Sequence, residues 1–121
     1  MSILIIDERK TIRDFQEEFT QLFPFLKIEF FKQAISEEDN KNHKTFTLLA
    51  PNYILGKKAI SINIDGTTTV AELKAMILEK TGVTCLVHRK SGTIWIEISL
   101  TEDWSLDRQN HEAELINNNS I

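Results

Sequence analysis

Residues 60–100 read ISINIDGTTTVAELKAMILEKTGVTCLVHRKSGTIWIEISL, and the architecture turns on them. Ile60, Ile62 and Ile64 alternate with Ser61 and Asn63, the two-residue period of a half-buried strand. Asp65-Gly66 turns the chain. Thr69 followed by Glu72 has capping-box spacing, in which a hydroxyl and a carboxylate each satisfy an orphan amide of a starting helix. Val70, Leu73, Met76 and Ile77 then recur at helical spacing, and Gly82 supplies the left-handed residue on which helices commonly end. Val83 to Lys90 and Thr93 to Leu100 read as two strands of a hairpin joined at Ser91-Gly92.

An even-numbered hairpin loop sorts these strands by face. Val83, Cys85 and Val87 then share a core face with Ile94, Ile96, Ile98 and Leu100. Thr84, Leu86 and His88 share the opposite face with Trp95, Glu97 and Ser99. In this register His88 stands across from Trp95 and Leu86 across from Glu97. A three-residue loop would send Trp95 to the side of Val87 and break the sorting. The even loop is preferred because it gathers the aliphatic residues.

Outward from this stretch, Ile3 to Ile6 suit a short strand, and Asp7 is placed to cap a helix. Ile12, Phe15, Phe19 and Leu22 lie on one helical face, and Pro24 ends that helix. Leu26, Ile28 and Phe30 alternate with Lys27, Glu29 and Phe31 as in a strand. Ser36 to Lys44 holds no apolar residue, so residues 33–45 read as a mobile loop with nothing to offset the entropy of ordering. Phe46 to Leu55 regains apolar character around Pro51 and reads as a short extra strand or an extended crossing. Residues 103–116 read as a third helix, capped by Asp103. Its apolar positions (Leu106, Ala113, Ile116) are sparse, which predicts weak packing and a frayed tail over 117–121.

The element order gives two βαβ-like halves and predicts an α+β fold for 1–121 as a single domain. This is a two-layer sandwich with a mixed or mainly antiparallel sheet, two main helices on one face and a weak C-terminal helix. Ferredoxin-like topology is the first expectation and a β-grasp-like variant the second. The composition of the 121-residue chain is that of a globular domain, 41% hydrophobic and 26% charged. A net charge of −4 gives no general attraction to nucleic acid or anionic lipid. One cysteine cannot close an internal disulfide, and the opening apolar run is too short for a signal-peptide core. Cytoplasmic localisation without membrane association is expected.

Most chemistries fail on spacing. Cys85 and His88 are three apart on a strand and point to opposite faces, while His43 and His111 lie elsewhere, so no metal is expected. A core Cys85 is an inert thiol. The glycines are scattered and form no phosphate cradle, and no cofactor is expected. Glu97, Glu102 and Asp103, with His88 or His111, are the acids and bases an enzyme could use. Nucleic-acid binding is disfavoured, because strand 59–65 has no aromatic or basic residue and Arg89, Lys90, Lys57 and Lys58 supply only scattered charge.

Arg89-Lys-Ser-Gly-Thr-Ile-Trp-Ile-Glu97 and Thr101-Glu-Asp-Trp-Ser-Leu-Asp-Arg-Gln-Asn110 resemble a family of small bacterial α/β proteins with no assigned activity. So does Ile6-Asp-Glu-Arg-Lys-Thr-Ile-Arg-Asp-Phe-Gln-Glu-Glu-Phe19. The resemblance implies a fold and no mechanism. The functional expectation is therefore a non-enzymatic interaction domain, binding an unknown protein partner or itself. Its surface would be Leu86, His88, Trp95 and Glu97 on the open sheet face, with Trp104 as a further candidate. A carboxylate enzyme and a nucleic-acid binder are the alternatives.

Overall fold

A computed structural model describes residues 2–6, 9–38, 41–55 and 60–118. Among these the order is β1 (Ser2–Ile6), α1 (Ile12–Leu22), β2 (Leu26–Glu38), β3 (Lys41–Leu48) and β4 (Ile60–Ile64). It continues with α2 (Val70–Thr81), β5 (Thr84–Ser91), β6 (Ile94–Glu97) and α3 (Leu106–Asn118). The fold is α+β, and every described strand pair is antiparallel.

Four strands form one sheet in the order β3-β2-β5-β6, while β1 and β4 pair in a ladder of their own. The strands of each expected βαβ-like half are therefore divided between the two ladders, β1 pairing with β4 and β2 with β5. Leu26, Ile28 and Phe30 of β2 and Cys85 and Val87 of β5 are buried on the face that carries the helices. Ile62 and Ile64 of β4 close the same core. Phe15 of α1 meets Phe30 edge-on, with ring centroids 5.5 Å apart. Val70, Leu73 and Ile77 of α2 are fully buried beside them, as the helical spacing predicts.

The three described helices solve the problem of their orphan N-terminal amides in the same way. In α1 the first two amides donate to Tyr53 and Pro51 carbonyls, and the third to Thr11 Oγ1. In α2 the partners are the Trp104 and Glu102 carbonyls and Thr69 Oγ1. In α3 they are the Thr68 and Gly66 carbonyls and Ser105 Oγ. The segment before each helix is thereby stitched to another loop. The cap of α1 is Thr11, in a capping box with Asp14, and the cap of α3 is Ser105. Asp103 is thus not the cap the sequence suggests, and Asp7 lies outside the described residues.

Two expectations of disorder are corrected. Residues 33–45 do not form the expected loop, since β2 runs to Glu38 and β3 starts at Lys41, with residues 39–40 outside the described set. A ladder needs only backbone donors and acceptors, and β2 is already anchored by Leu26, Ile28 and Phe30. α3 is also held more firmly than its apolar residues suggest, because its anchors are polar. Gln109 is fully buried and donates to the Thr101 carbonyl and hydroxyl at 2.7 and 2.8 Å. Asn110 accepts from the Phe25 amide at 2.8 Å. Asn117, expected to fray, accepts from Gly92 N–H at 2.8 Å and donates to the Lys90 carbonyl at 2.9 Å. Residues 119–121 of the expected tail are outside the described set.

Candidate docking edge and groove

The terminal hairpin has a two-residue loop, but at Gly92-Thr93 rather than Ser91-Gly92. Ser91 pairs with Ile94, Lys90 with Trp95, Arg89 with Ile96 and His88 with Glu97. Gly92, at φ 65°, takes the first loop position, where type I′ and II′ turns require a positive φ. The faces expected for these residues survive, because a shift of two residues conserves parity. The pairings do not: Glu97 rather than Trp95 stands opposite His88, and Leu86 lies beyond the end of β6.

The shift also corrects the core. Ile98 is buried opposite Val87, with its N–H donating to the Val87 carbonyl at 2.9 Å. Ile94 and Ile96, expected in the core, are 59% and 41% exposed, and Leu100 is exposed too. The register slides β6 toward the hairpin tip, so Ile94 and Ile96 stand opposite Ser91 and Arg89. α3 lies against β5 and β2 and leaves this margin of the sheet uncovered.

The backbone of β6 has an equally clear orientation. Hydrogen-bonded pairs alternate along an antiparallel ladder. Because Ile98 bonds back to Val87, Ile96 and Ile94 also turn their amides and carbonyls toward β5. Those of Trp95 and Glu97 then point away from the sheet. No strand among the described residues pairs with that edge. All four residues of β6 are exposed, and three of them are large and apolar.

The β2 backbone is satisfied locally beyond the end of β3. Where β3 does not reach, the Ile28 carbonyl of β2 accepts from Gln16 Nε2 of α1 at 2.8 Å, and the Phe30 carbonyl from Leu49 N–H at 3.0 Å. That stretch of β2 is covered by the chain itself, whereas the outer edge of β3 pairs with no strand among the described residues. Among the described residues the edge of β6 has no such cover.

On the outer face Lys27, Glu29, Leu86 and His88 are half-buried. The Lys27 ammonium lies 5.3 Å from the centre of the Trp95 ring and also pairs with Glu29 at 3.0 Å. A groove of about 660 Å³ runs between Arg13, Glu17 and Gln21 of α1 and Lys27 and Glu29 of β2, with Trp95 at its margin. A second groove of about 420 Å³ is lined by charged and polar residues, among them Lys10, Asp14 and Glu18. Neither is lined by Glu97, Glu102, Asp103, His88 or His111.

The acids named from the sequence are dispersed. Glu97 is on β6, whereas Glu102 pairs with Lys74 at 3.1 Å beside the start of α2. His111 is exposed on α3. Trp104 is half-buried at the junction of the α2 and α3 N-termini, where the Arg108 guanidinium stacks 3.7 Å from its ring centre. Trp104 therefore belongs to the helix junction and not to the Trp95 surface. Cys85 is buried, and burial pushes its thiol up to about 12. The Asp65 carboxyl is held below its ordinary value, first by the Thr67 hydroxyl and then by the Thr67 amide. Among the described residues no three metal-ligating side chains cluster.

What sequence reasoning missed is the open backbone edge itself. Gly92-Thr93, read as a glycine-first turn, was the signal that could have placed it. No helix among the described residues is long and apolar enough to cross a membrane. Comparison with known families, with curated proteins and with solved structures gives no match for this chain.

Proposed function

We propose that this chain is a non-catalytic protein-interaction domain that docks through β6, with Trp95 as its anchor. One observation carries the reading: β6 exposes Ile94, Trp95 and Ile96 together with a backbone edge that no described strand pairs. A strand in that state is suited to accept another strand, where main-chain bonds give affinity and alternate side chains give selectivity. Indoles at such surfaces often dominate binding. The same proposal takes the stretches 6–19, 89–97 and 101–110 as marking the small bacterial α/β family, for fold alone. A lone buried thiol suits a reducing compartment, and we place the domain in the cytoplasm.

If Trp95 serves a partner, removing it leaves the fold nearly as stable as before. Urea unfolding of Trp95→Ala is expected to lose less than about 1 kcal/mol, against about 3–5 kcal/mol for Phe19→Ala in the core. In a Trp104→Phe background, the remaining indole should also be readily quenched by iodide in dilute protein. A loss for Trp95→Ala equal to that of Phe19→Ala would make Trp95 a structural residue and end this reading.

A further inference from the structure

We infer that the chain is one βαββ unit present twice, β1-α1-β2-β3 and β4-α2-β5-β6, packed about a two-fold axis. The inference goes beyond the docking role of β6 and does not rest on it. It starts from the bonds that hold the helix N-termini. Thr11 caps α1 in a capping box with Asp14, and Thr69 caps α2 in one with Glu72. Thr11 bridges to Ile54, and Thr69 to Ser105. Ile12 and Arg13 donate to the Tyr53 and Pro51 carbonyls, as Val70 and Ala71 do to those of Trp104 and Glu102. Tyr53 N–H in turn donates to Ala50, and Trp104 N–H to Thr101. Leu55 N–H closes the loop onto Lys10, and Leu106 N–H onto Thr68. Every bond of one constellation has its counterpart in the other.

The side chains agree with the bonds. Thr11-Ile-Arg-Asp-Phe15 falls on Thr69-Val-Ala-Glu-Leu73. The buried Ile12, Phe15 and Phe19 fall on the buried Val70, Leu73 and Ile77. With one extra residue between α1 and β2, Leu26, Ile28 and Phe30 fall on Val83, Cys85 and Val87, and Leu55 falls on Leu106, all of them buried. Beyond the strands, Leu49 N–H donates to the Phe30 carbonyl as Ile98 N–H does to that of Val87. Helical and strand periodicity alone would make buried positions agree. They would not repeat the cap, the bridge and the carbonyl partners at the same positions, which is what a repeated unit does.

The strand pairings locate the axis. In an antiparallel ladder, a two-fold axis passes where a residue stands opposite its own equivalent. In β2–β5 that pair is Glu29 with Leu86, and in β1–β4 it is Leu4 with Ile62. The sheet order β3-β2-β5-β6 reads the same from either end once β2 is matched to β5 and β3 to β6. Under this relation Trp95 falls on Phe46, so each unit exposes one aromatic residue on its outermost strand. α3 has no counterpart, because after Leu55 the chain returns as β4 at Ile60. It is an addition to the paired units, and it fastens to both through Asn110 on Phe25 and Asn117 on Gly92.

A two-fold axis makes a demand that a chance likeness of two segments does not: crossed distances between the units must be equal. Glu17 and Ala75 are equivalent exposed positions on α1 and α2, and Asn52 and Asp103 are equivalent exposed positions in the loops that stitch them. Nitroxide labels on the pair Glu17→Cys and Asp103→Cys, and on the pair Asn52→Cys and Ala75→Cys, report the two crossed distances by double electron–electron resonance in the full chain. Cys85 is buried and does not compete for label. The two distance distributions should coincide within their widths. The distances within each unit, Glu17 to Asn52 and Ala75 to Asp103, should coincide as well. A second set, with Gln21 and Glu79 in place of Glu17 and Ala75, should repeat both equalities. Crossed distances resolved from one another in both sets overturn the axis. Unequal distances within the units overturn the repeat itself.

Discussion

Raising the pH should test the core of the sheet through one thiol. Cys85 is 1% exposed, faces Phe30 in the β2–β5 ladder and has its thiol pushed up to about 12 by loss of hydration. Lys74 opposes that shift and Glu102 adds to it, each less than burial does. In the unfolded chain the thiol ionises near about 8.5. The folded state therefore keeps a proton that the unfolded state releases. The stabilisation is fully present below about pH 8.5 and is lost as pH rises toward about 12. Over that interval the loss is about 1.4 kcal/mol per pH unit, or about 2–3 kcal/mol by about pH 10.5. That is a large share of a typical domain's stability of about 5–15 kcal/mol.

The assay is urea unfolding of wild type and Cys85→Ala at several pH values from about 8 to 10.5. All other groups are common to both chains, so their contributions cancel in the difference. At neutral pH the variant should be less stable by about 1–2 kcal/mol, for the small cavity it leaves. With rising pH the gap should close and then reverse. Parallel curves would refute the reasoning, for they would mean that the folded thiol ionises like a free one.

Two further outcomes follow from contacts of single residues. A methyl group added at Gly66 would land on the Asp107 carboxylate, so Gly66→Ala should cost about 1–3 kcal/mol. The same change in an Asp107→Ala background should cost at least about 1 kcal/mol less, and a double-mutant cycle showing no coupling would contradict this. Asn117→Ala removes the bonds from α3 to Gly92 and Lys90, and should cost about 1–2 kcal/mol while raising amide exchange at Gly92; unchanged exchange there would count against it.

The parts of this fold that are legible in the sequence are those fixed by local chemistry. Thr69, Glu72 and Gly82 bound α2 through contacts within a turn of the chain, and the structure keeps each of them. The faces of the hairpin are legible because side-chain parity survives a slip of two residues. The register is not, and the exposure of Ile94 and Ile96 depends on it. β3 is hidden because apolar content is a poor guide to a ladder made by backbone groups. α3 is undervalued because Gln109, Asn110 and Asn117 hold it, and polar anchors leave no periodic apolar stripe. The β1–β4 pairing joins distant segments, and nothing local to either strand encodes it. For the candidate site, Trp95 can be picked out by its face, while the unpaired edge around it needs the strand order.

Amide exchange along β6, read by NMR residue by residue, tests the open edge most directly. In the free chain, Trp95 and Glu97 should exchange near intrinsic rates. Ile96 and Ile98, which bond to β5, should be protected. Protection of Trp95 and Glu97 equal to that of Ile96 would mean that the chain covers this edge itself, and β6 would then not be a docking strand.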